Sequence, residues 1–544
     1  MRPLSEHSGT AEENLAAAAQ VLELAENELW RFNAWTLAAF VRCAAAFKGS
    51  LQPAGLAAWQ KALLRTCQQP HREQGAHPHA QQRHQPQAEE QQRTQRQEQV
   101  QQRLVDELSS QGVGNVLLSL GTLAASDAQL AATVDRQLAQ RLLEHAAELV
   151  HEGDGGSAGG LTPQHATNAL FGAALLGLQP ARGQLRALLA PVEAGVSSLS
   201  SKGITQLLLA FKHLKARGLG VQEGQAAEVA PQLHRHHVYY PGDTQLGAVL
   251  EQACQQLRRR CLGEQAAAQI MGACADLGYL PSPHILQEVL GVLAGDSSLA
   301  PQHVSAALTG CARLGVQPGP EVIAACWRAL VSGSGRDGQA VANTAWALAV
   351  LEVRWGEPGM RPRYVAAAYI FLVDDLAHAT PLELRQWHQA YLHMKLRHGW
   401  GVSRPPDLFQ RSLLAHQAEC QTLSGPETHF ERAVAEAVRQ LAADYGINRE
   451  GVKLEYAVLD PDGEGWLRVD VAIPSLKLAV EADGPVHFLR NVRPLQQTGD
   501  TLARNRLLRG WGWDVVVVPH TVMDELFEQD SSHEHIVAGL KEYL

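Results

Sequence analysis

The chain has 544 residues, of which 45% are hydrophobic, 19% charged and only 6% aromatic, and its formal net charge is −10. A negative net charge excludes non-specific attraction of polyanions to the whole surface, although it allows a local basic groove. Eight cysteines in so long a chain exclude a disulfide scaffold, and no stretch reaches the ~18 consecutive apolar residues of a membrane span, so we predict no membrane insertion.

Residues 1–67 are predicted to form an N-terminal helical segment, because the chain from Glu13 to Leu64 is rich in Ala and Leu and has few helix breakers. Residues 68–103 differ sharply, since glutamine and histidine dominate and apolar residues are nearly absent. Such a segment cannot bury enough surface to fold alone, so we predict a low-complexity insert. Acidic residues near the start, Glu6 among them, do not fit a transit peptide, and no clear targeting segment is visible.

Residues 104–400 repeat one pattern. Pro163–Pro180 and Pro301–Pro318 align without a gap at a separation of 138 residues, and both begin with Pro-Gln-His. Further copies follow at steps of 37 or 38 residues in the regions of Ile204, Ala267 and Ala342. A fixed period of this length predicts a solenoid of stacked helical hairpins.

The repeat also suggests roles for single residues. Cys274 and Cys311 lie 37 residues apart and share one repeat position, which favours small packing residues over metal ligands or nucleophiles. Trp346 lies in the apolar stripe of its copy, which favours core packing over stacking on a nucleobase.

The copy Ala342-Asn-Thr-Ala-Trp-Ala-Leu-Ala349 and the two Pro-Gln-His starts resemble the octotricopeptide repeat family. The resemblance implies an α-solenoid whose inner helices follow single-stranded RNA, as in organellar RNA-binding factors of green algae. Several copies depart from the family pattern, for example at Lys212-His213, where the family has apolar or small residues. Base-reading residues are therefore not assigned.

After a linker at residues 401–426, residues 427–544 predict a small α/β domain. Phe430–Tyr445 has the pattern of an amphipathic helix. Strands are predicted at Leu454–Leu459, Trp466–Ile473, Leu476–Asp483 and Asp514–Val518, with a helix at Asp500–Arg509 and two more after the last strand. The short Pro474-Ser475 link makes the second and third strands antiparallel neighbours.

Alternation along these strands places side chains on defined faces. One face of the second strand is predicted to hold Leu467, Val469, Val471 and Ile473. Asp470 of that strand and Glu481 and Asp483 of the next are predicted to converge on a polar face. Three carboxylates there can hold a divalent metal with a bound water, or can simply accept hydrogen bonds from backbone amides and arginines.

Four ordered motifs run through this region: Val469-Asp-Val-Ala-Ile-Pro474, Leu478-Ala-Val-Glu-Ala-Asp-Gly-Pro-Val-His-Phe488, Thr498-Gly-Asp-Thr-Leu-Ala-Arg-Asn-Arg-Leu-Leu508 and Gly512-Trp-Asp-Val-Val-Val-Val-Pro519. Together they resemble the RAP domain over a core of residues 466–526. Arg504 stands at the family's usual lysine position, and the usual tryptophan after the final proline is absent. The resemblance implies a restriction-endonuclease-like α/β fold after the mainly α-helical solenoid, and RNA as the partner.

The local charge agrees with a nucleic-acid partner. The segment from Trp466 to Trp513 contains seven Lys and Arg residues and only four acidic residues. We expect contacts with RNA from Lys477, His487, Arg490, Arg504 and Arg506. A solvated helix face explains Arg506 equally well.

The predicted function is sequence-selective binding of single-stranded RNA in a chloroplast or mitochondrion, in the processing, stability, splicing or translation of a transcript. Other RNA-metabolism proteins are possible further partners, and no cofactor, metal or catalytic residue is expected. The alternative is a metal-dependent ribonuclease in which Asp470, Glu481 and Asp483 hold Mg²⁺ and catalyse cleavage. That nuclease pattern needs an Asp followed by Glu-x-Lys, and here Asp483 replaces the lysine that would stabilise phosphate charge. A third reading is a helical scaffold that binds proteins.

Overall fold

A computed structural model describes residues 108–126, 128–152, 160–218, 243–259, 261–295, 300–332, 338–352, 379–398, 406–422 and 428–544. The helical segment and the Gln/His-rich insert predicted for residues 1–103 lie outside the described residues. The chain divides into two compact units, Met1–Gln255 and Gln256–Leu544. None of the described helices is long and apolar enough to cross a membrane.

The described part of the first unit is helical. Its helices are α1 (Ser110–Ser126), α2 (Ala128–Thr133), α3 (Arg136–Glu152), α4 (Pro163–Leu176), α5 (Arg182–Gly195), α6 (Ser201–Gly218) and α7 (Asp243–Arg258), the last of which runs past the unit boundary. α4 packs against both α1 and α6, and α3 packs against α5 in a second layer. Gly172 makes the close approach of α4 to α1 possible, because a Cβ there would overlap the backbone of Leu117.

The second unit, taken by itself, also begins with packed helices. Its repeat helices are α8 (Glu264–Leu277), α9 (Pro283–Gly295), α10 (Pro301–Leu314), α11 (Pro320–Ser332), α12 (Gly338–Val350), α13 (Pro381–His398) and α14 (Pro406–Thr422), the last inside the predicted linker. α8, α10, α12 and α13 pack one after another, and α9 packs against α11. Since α8, α10 and α12 begin at residues 264, 301 and 338, the 37-residue step predicted from the sequence is the step of the structure.

Small residues at equivalent repeat positions allow these helices to approach closely. A Cβ on Gly310 of α10 would lie 2.9 Å from the backbone of Met271 in α8. Cys274 and Cys311 are both buried, and burial raises the pKa of each thiol to about 12. The prediction that these two cysteines are packing residues is confirmed.

The C-terminal α/β region contains a four-stranded sheet. Its elements are α15 (His429–Asp444), β1 (Lys453–Leu459), β2 (Trp466–Ile473), β3 (Leu478–Asp483), β4 (Phe488–Leu489), β5 (Gln496–Gln497), α16 (Gly499–Gly510), β6 (Asp514–Pro519), α17 (His520–Gln529) and α18 (His533–Tyr543). The order in the sheet is β1-β2-β3-β6, with β3 antiparallel to β2 and parallel to β6. The predicted mainly α fold with a small C-terminal α/β region is confirmed, although Leu476 lies in an exposed turn before β3 and not within the strand.

Both faces of the sheet are covered by apolar side chains. α15, α17 and α18 cover one face, and α13, α14 and α16 cover the other. The prediction that four apolar residues share one face of β2 is wrong. Val471 and Ile473 are buried on the face that α15, α17 and α18 cover, whereas Leu467 and Val469 pack on the opposite face. The side changes at Asp470, which lies across from Glu455 of β1, a residue with a left-handed φ of 47° that interrupts the regular pleat.

The α/β region lies along the C-terminal ends of the repeat helices of its own unit. The backbone N of Arg490 donates to the carbonyl of Gly278, just after α8, at 2.9 Å. Nη2 of Arg506 donates to the carbonyls of Ala349 and Val350, the last two residues of α12, at 3.3 and 3.0 Å. Carbonyls at the end of a helix lack partners within it, so the α/β region caps these repeat helices.

Candidate nucleic-acid interface

Two buried carboxylates stand on the face of β3 that α16 covers. Glu481 and Asp483 are each 2% exposed, and their spacing of two residues places them on one side of the strand, as predicted. Asp470 of β2 is half-buried, and its Oδ2 accepts a hydrogen bond of 2.7 Å from the backbone N of Ala482. The polar face is therefore part of the protein interior and not an open acidic surface.

Arg504 of α16 supplies the opposite charge. Its Nη1 lies 2.9 Å from Oε2 of Glu481, and its Nη2 donates to the backbone carbonyl of Arg468. Burial raises the pKa of Glu481, and Arg504 only partly offsets this effect. Burial also opposes the charge on Arg504, but the combined attraction of Glu481, Asp470 and Asp483 outweighs it, so the pKa of Arg504 is raised. This ion pair fastens α16 to the sheet.

Among the described residues, one group of carboxylates has the spacing of metal ligands. It consists of Asp460, Asp462 and Glu464, whose oxygens lie within 4.8 Å of one another. These carboxylates follow β1, and Nζ of Lys395 in α13 lies 2.9, 2.5 and 2.8 Å from them. The Lys395 cation already bridges the three carboxylates, so we interpret the group as a contact that holds the α/β region to α13.

The trio Asp470, Glu481 and Asp483 is not gathered in this way among the described residues. Asp470 is drawn to the backbone of Ala482 and Glu481 to Arg504. This geometry lends no support to the alternative in which the trio holds Mg²⁺ and cleaves RNA.

A second polar network runs from Asp483 to the start of α16. Oδ2 of Asp483 accepts from Nε2 of Gln497 at 2.8 Å, and Oδ1 lies 3.8 Å from Nδ1 of His487. The same Nδ1 lies 3.1 Å from the hydroxyl of Thr501, which lies 2.9 Å from that of Thr498. Because the carboxylate and the hydroxyl share one ring nitrogen, the imidazole cannot pass a proton between them as in a nucleophilic triad. The network instead fixes the orientation of His487.

The five residues predicted to bind RNA do not form one cluster. Arg504 is paired with Glu481, and Arg506 caps α12 and lies 3.3 Å from Glu352. Both side chains therefore have structural partners. The guanidinium carbon of Arg490 lies 5.9 Å from the ring centre of Tyr279 in the segment after α8.

Lys477 and His487 are exposed but lie at opposite ends of β3. Lys477 precedes the strand and His487 follows it, a separation of about 20 Å for six residues of strand. The side chain of His487 is 41% exposed, and its contacts with Asp483 and Thr501 are both made through Nδ1. RNA binding by these five residues stays a prediction.

Three exposed cations lie at one end of the sheet, where Lys477 precedes β3. Lys453 begins β1 and pairs with Ala472 near the end of β2, and Nη2 of Arg509, at the end of α16, lies 3.4 Å from the carbonyl of Val515. We call Lys453, Lys477 and Arg509 the basic edge. The sequence indicated Arg509 only as part of a local excess of charge and did not indicate Lys453, because their place at the same end of the sheet depends on the strand order.

The C-terminal α/β region is similar to a known protein family. Residues 480–537 match the RAP domain family. The matched segment runs from β3 through α16 and β6 into α18, so it contains Glu481, Asp483, His487 and Arg504. RAP domains are generally RNA-binding, and this region fits an RNA-binding role in that broad sense. No family match covers the octotricopeptide resemblance of the repeats, which stays a prediction, and no curated protein matches the chain.

Stability should depend on pH through Asp470. Burial first, and the nearby Glu481 carboxylate second, raise the pKa of Asp470 to about 7. Between about pH 4 and 7 the folded protein therefore keeps a proton that the unfolded chain has lost, so this carboxyl should reduce stability as the pH rises through that range.

Asp470→Asn keeps the acceptor for Ala482 without the charge. In urea unfolding, the variant should match wild type near pH 4 and exceed it by a few kcal/mol at pH 8, on the order given by about three pKa units. Equal pH profiles would contradict a raised pKa.

Proposed function

We propose that this protein binds single-stranded RNA through its C-terminal α/β region and supports the processing, stability, splicing or translation of a transcript in a chloroplast or mitochondrion. The observation that carries the proposal is the RAP domain match over residues 480–537. The 37-residue step of the repeat helices and their resemblance to octotricopeptide repeats support an RNA partner and an organellar setting. Other RNA-metabolism proteins are the further partners we propose.

The basic edge is the surface we assign to the phosphates. The whole chain carries a net charge of −10, so attraction to RNA must come from a local group of cations. Lys453, Lys477 and Arg509 are exposed. Exposed acids also lie nearby in sequence, at Glu450, Glu455 and Asp514, and the carboxylate of Glu455 already lies 3.3 Å from Arg468. α16 connects this edge to the His487 end of the sheet over 12 residues, about 18 Å.

RNA affinity should depend on salt, and this dependence should fall when the basic edge is neutralised. We expect log K to fall with log salt by about 0.7 for each phosphate contact with a single strand. Lys477→Ala with Arg509→Ala should weaken binding and flatten the slope, because two phosphate contacts are lost. The measurement is fluorescence anisotropy of labelled single-stranded RNA over a series of salt concentrations.

The matched control is Lys477→Arg with Arg509→Lys, which keeps both charges and should keep the slope. Charge reversal of Arg504 or Arg506 is a poor test, since both hold the fold. Absence of RNA affinity in wild type at low salt would refute the proposal and would favour the protein scaffold if organellar proteins were captured instead.

The nuclease alternative has a separate test. Wild type, Asp470→Asn and Glu481→Gln are incubated with labelled RNA in Mg²⁺ or Mn²⁺, with folding of each variant checked first. We expect no cleavage that depends on these carboxylates. Cleavage by wild type that both folded variants lose would replace the binding proposal with a ribonuclease.

The organellar part of the proposal is tested in cells. The tagged protein is crosslinked to RNA in its own organism, and the bound RNA is sequenced. Enrichment of a chloroplast or mitochondrial transcript is the expected result, and exclusively nuclear-encoded cytosolic RNA would contradict it.

A further inference from the structure

A cavity of about 250 Å³ lies within the second unit, where α16 faces the repeat helices. From the repeats, Trp346 of α12, His393 of α13 and His416 of α14 line it. From the matched RAP segment, His487, Thr501 and Arg504 line it. The repeat helices and the RAP segment therefore both contribute walls to the cavity, and neither of them encloses it alone.

The two repeat histidines are neutral. Burial, followed by the nearby Arg506, lowers the pKa of His393 to about 3, and burial lowers the pKa of His416. Nε2 of His416 lies 2.8 Å from the carbonyl of Trp466, so this nitrogen carries the proton and Nδ1 is an acceptor. His416 is 1% and His393 7% exposed, and Nδ1 of each lacks a partner among the described residues. A buried polar atom without a partner is costly and calls for a ligand group to satisfy it.

The opposite wall carries an oriented imidazole. His487 is fixed through Nδ1 by Thr501 and Asp483, which leaves Nε2 for a ligand. Trp346, which its place in the apolar stripe predicted to be a core residue, is only half-buried and adds an aromatic ring to the repeat side of the cavity. Aromatic rings and hydrogen-bonding groups around one small space are the features that recognise an unstacked nucleobase.

Charge and size decide between a base and a phosphate. The guanidinium of Arg504 is already paired with Glu481, and the nearby lining residue Asp500 is exposed and acidic, so the site offers no free positive charge to a phosphate. Its volume lies just below the roughly 300–1,000 Å³ of pockets for drug-sized ligands, which suits a single planar ring.

We propose that this cavity receives one unstacked nucleobase of the bound RNA, stacked on Trp346 and hydrogen-bonded to the surrounding histidines. The inference rests on the proposed RNA-binding function and adds a base subsite to it.

The acceptor on His416 gives the subsite a preference. Adenine, cytosine and guanine can donate to Nδ1 through an exocyclic amino group, whereas uracil has only its ring N3–H as a donor. Short adenine and cytosine homopolymers should therefore bind wild type more tightly than a uracil homopolymer of the same length.

The test compares Trp346→Leu with Trp346→Phe by anisotropy on labelled homopolymers. Loss of one stacked base should weaken binding about 5- to 150-fold in Trp346→Leu, and Trp346→Phe should retain most of the affinity. The salt slope should stay that of wild type, because no phosphate contact is lost. His487→Gln provides a second variant on the opposite wall, at an exposed side chain, and should also weaken binding and reduce the preference over uracil.

The outcomes separate this subsite from the proposed function. If wild type binds RNA with clear salt dependence but folded Trp346→Leu and His487→Gln bind equally well, the base subsite is refuted and the RNA-binding proposal stands. If the salt slope falls in these variants, the contacts are to phosphates and the subsite is also refuted. If wild type does not bind RNA, the function itself fails.

Discussion

Replacing Arg504 with methionine should destabilise the C-terminal region by about 3–5 kcal/mol, the usual cost of removing one partner of a buried ion pair. Methionine retains much of the apolar stem but removes the cation, and Glu481 is then left 2% exposed without its counter-charge. Oε1 of Glu481 already lacks a hydrogen-bond partner among the described residues, and besides Arg504 only the backbone of Asp470 lowers the pKa of Glu481. Urea unfolding followed by tryptophan fluorescence measures the effect, since Trp511 and Trp513 are buried beside α16.

Two further variants show whether charge is the cause. Arg504→Lys keeps the cation and restores the residue common at this position in RAP domains, so it should lose much less stability. Adding Glu481→Gln to Arg504→Met removes the unpaired carboxylate and should recover part of the loss. A double variant no more stable than the single one would show that packing, and not the unpaired charge, dominates.

Much of the fold follows from local patterns in the sequence. The helix starts at residues 264, 301 and 338 reproduce the 37-residue period, since each copy carries its own apolar stripe. The first two helices end at Gly278 and Gly315, and the third has Glu352, with a left-handed φ of 50°, at the equivalent position. Alternation predicts β2 and β3, a continuous apolar run predicts β6, and β2 has the predicted bounds. Alternation failed at Asp470 because the sheet changes side there, opposite the left-handed Glu455, and no local pattern marks such an irregularity.

The positions of the polar side chains near β3 could be predicted from the sequence only where two interacting residues belong to the same motif. Glu481 and Asp483 share a face because they are two residues apart on one strand. The pairing of Arg504 with Glu481 depends on how α16 crosses the sheet, and the capping of α12 by Arg506 depends on contacts between residues about 156 apart. The sequence therefore suggested surface cations where the structure has two structural arginines. The cavity near Trp346 was missed for the same reason, because its walls come from distant segments.

Replacing Gly499 with alanine should disrupt the contact between the α/β region and the repeats. An added Cβ would overlap the carbonyl oxygen of Ala312 near the end of α10, and would lie 3.2 Å from the backbone N of Gly315. Both neighbours are backbone atoms of a helix end, so no side-chain rotation relieves the overlap. α16 would have to move away, at a cost of about 1–3 kcal/mol typical of overpacking.

Gly291→Ala in α9 is the matched control, because nothing lies within 4 Å of a Cβ built there. It should leave stability unchanged or raise it by about 0.5–1 kcal/mol, as alanine favours a helix. Urea unfolding and hydrogen exchange of α16 should separate the two variants, with faster exchange of α16 only in Gly499→Ala. Since α16 also carries Thr501 and Arg504 to the cavity, the displaced helix should weaken RNA binding together with stability. Wild-type stability in Gly499→Ala would mean that α16 does not lie against α10 in solution.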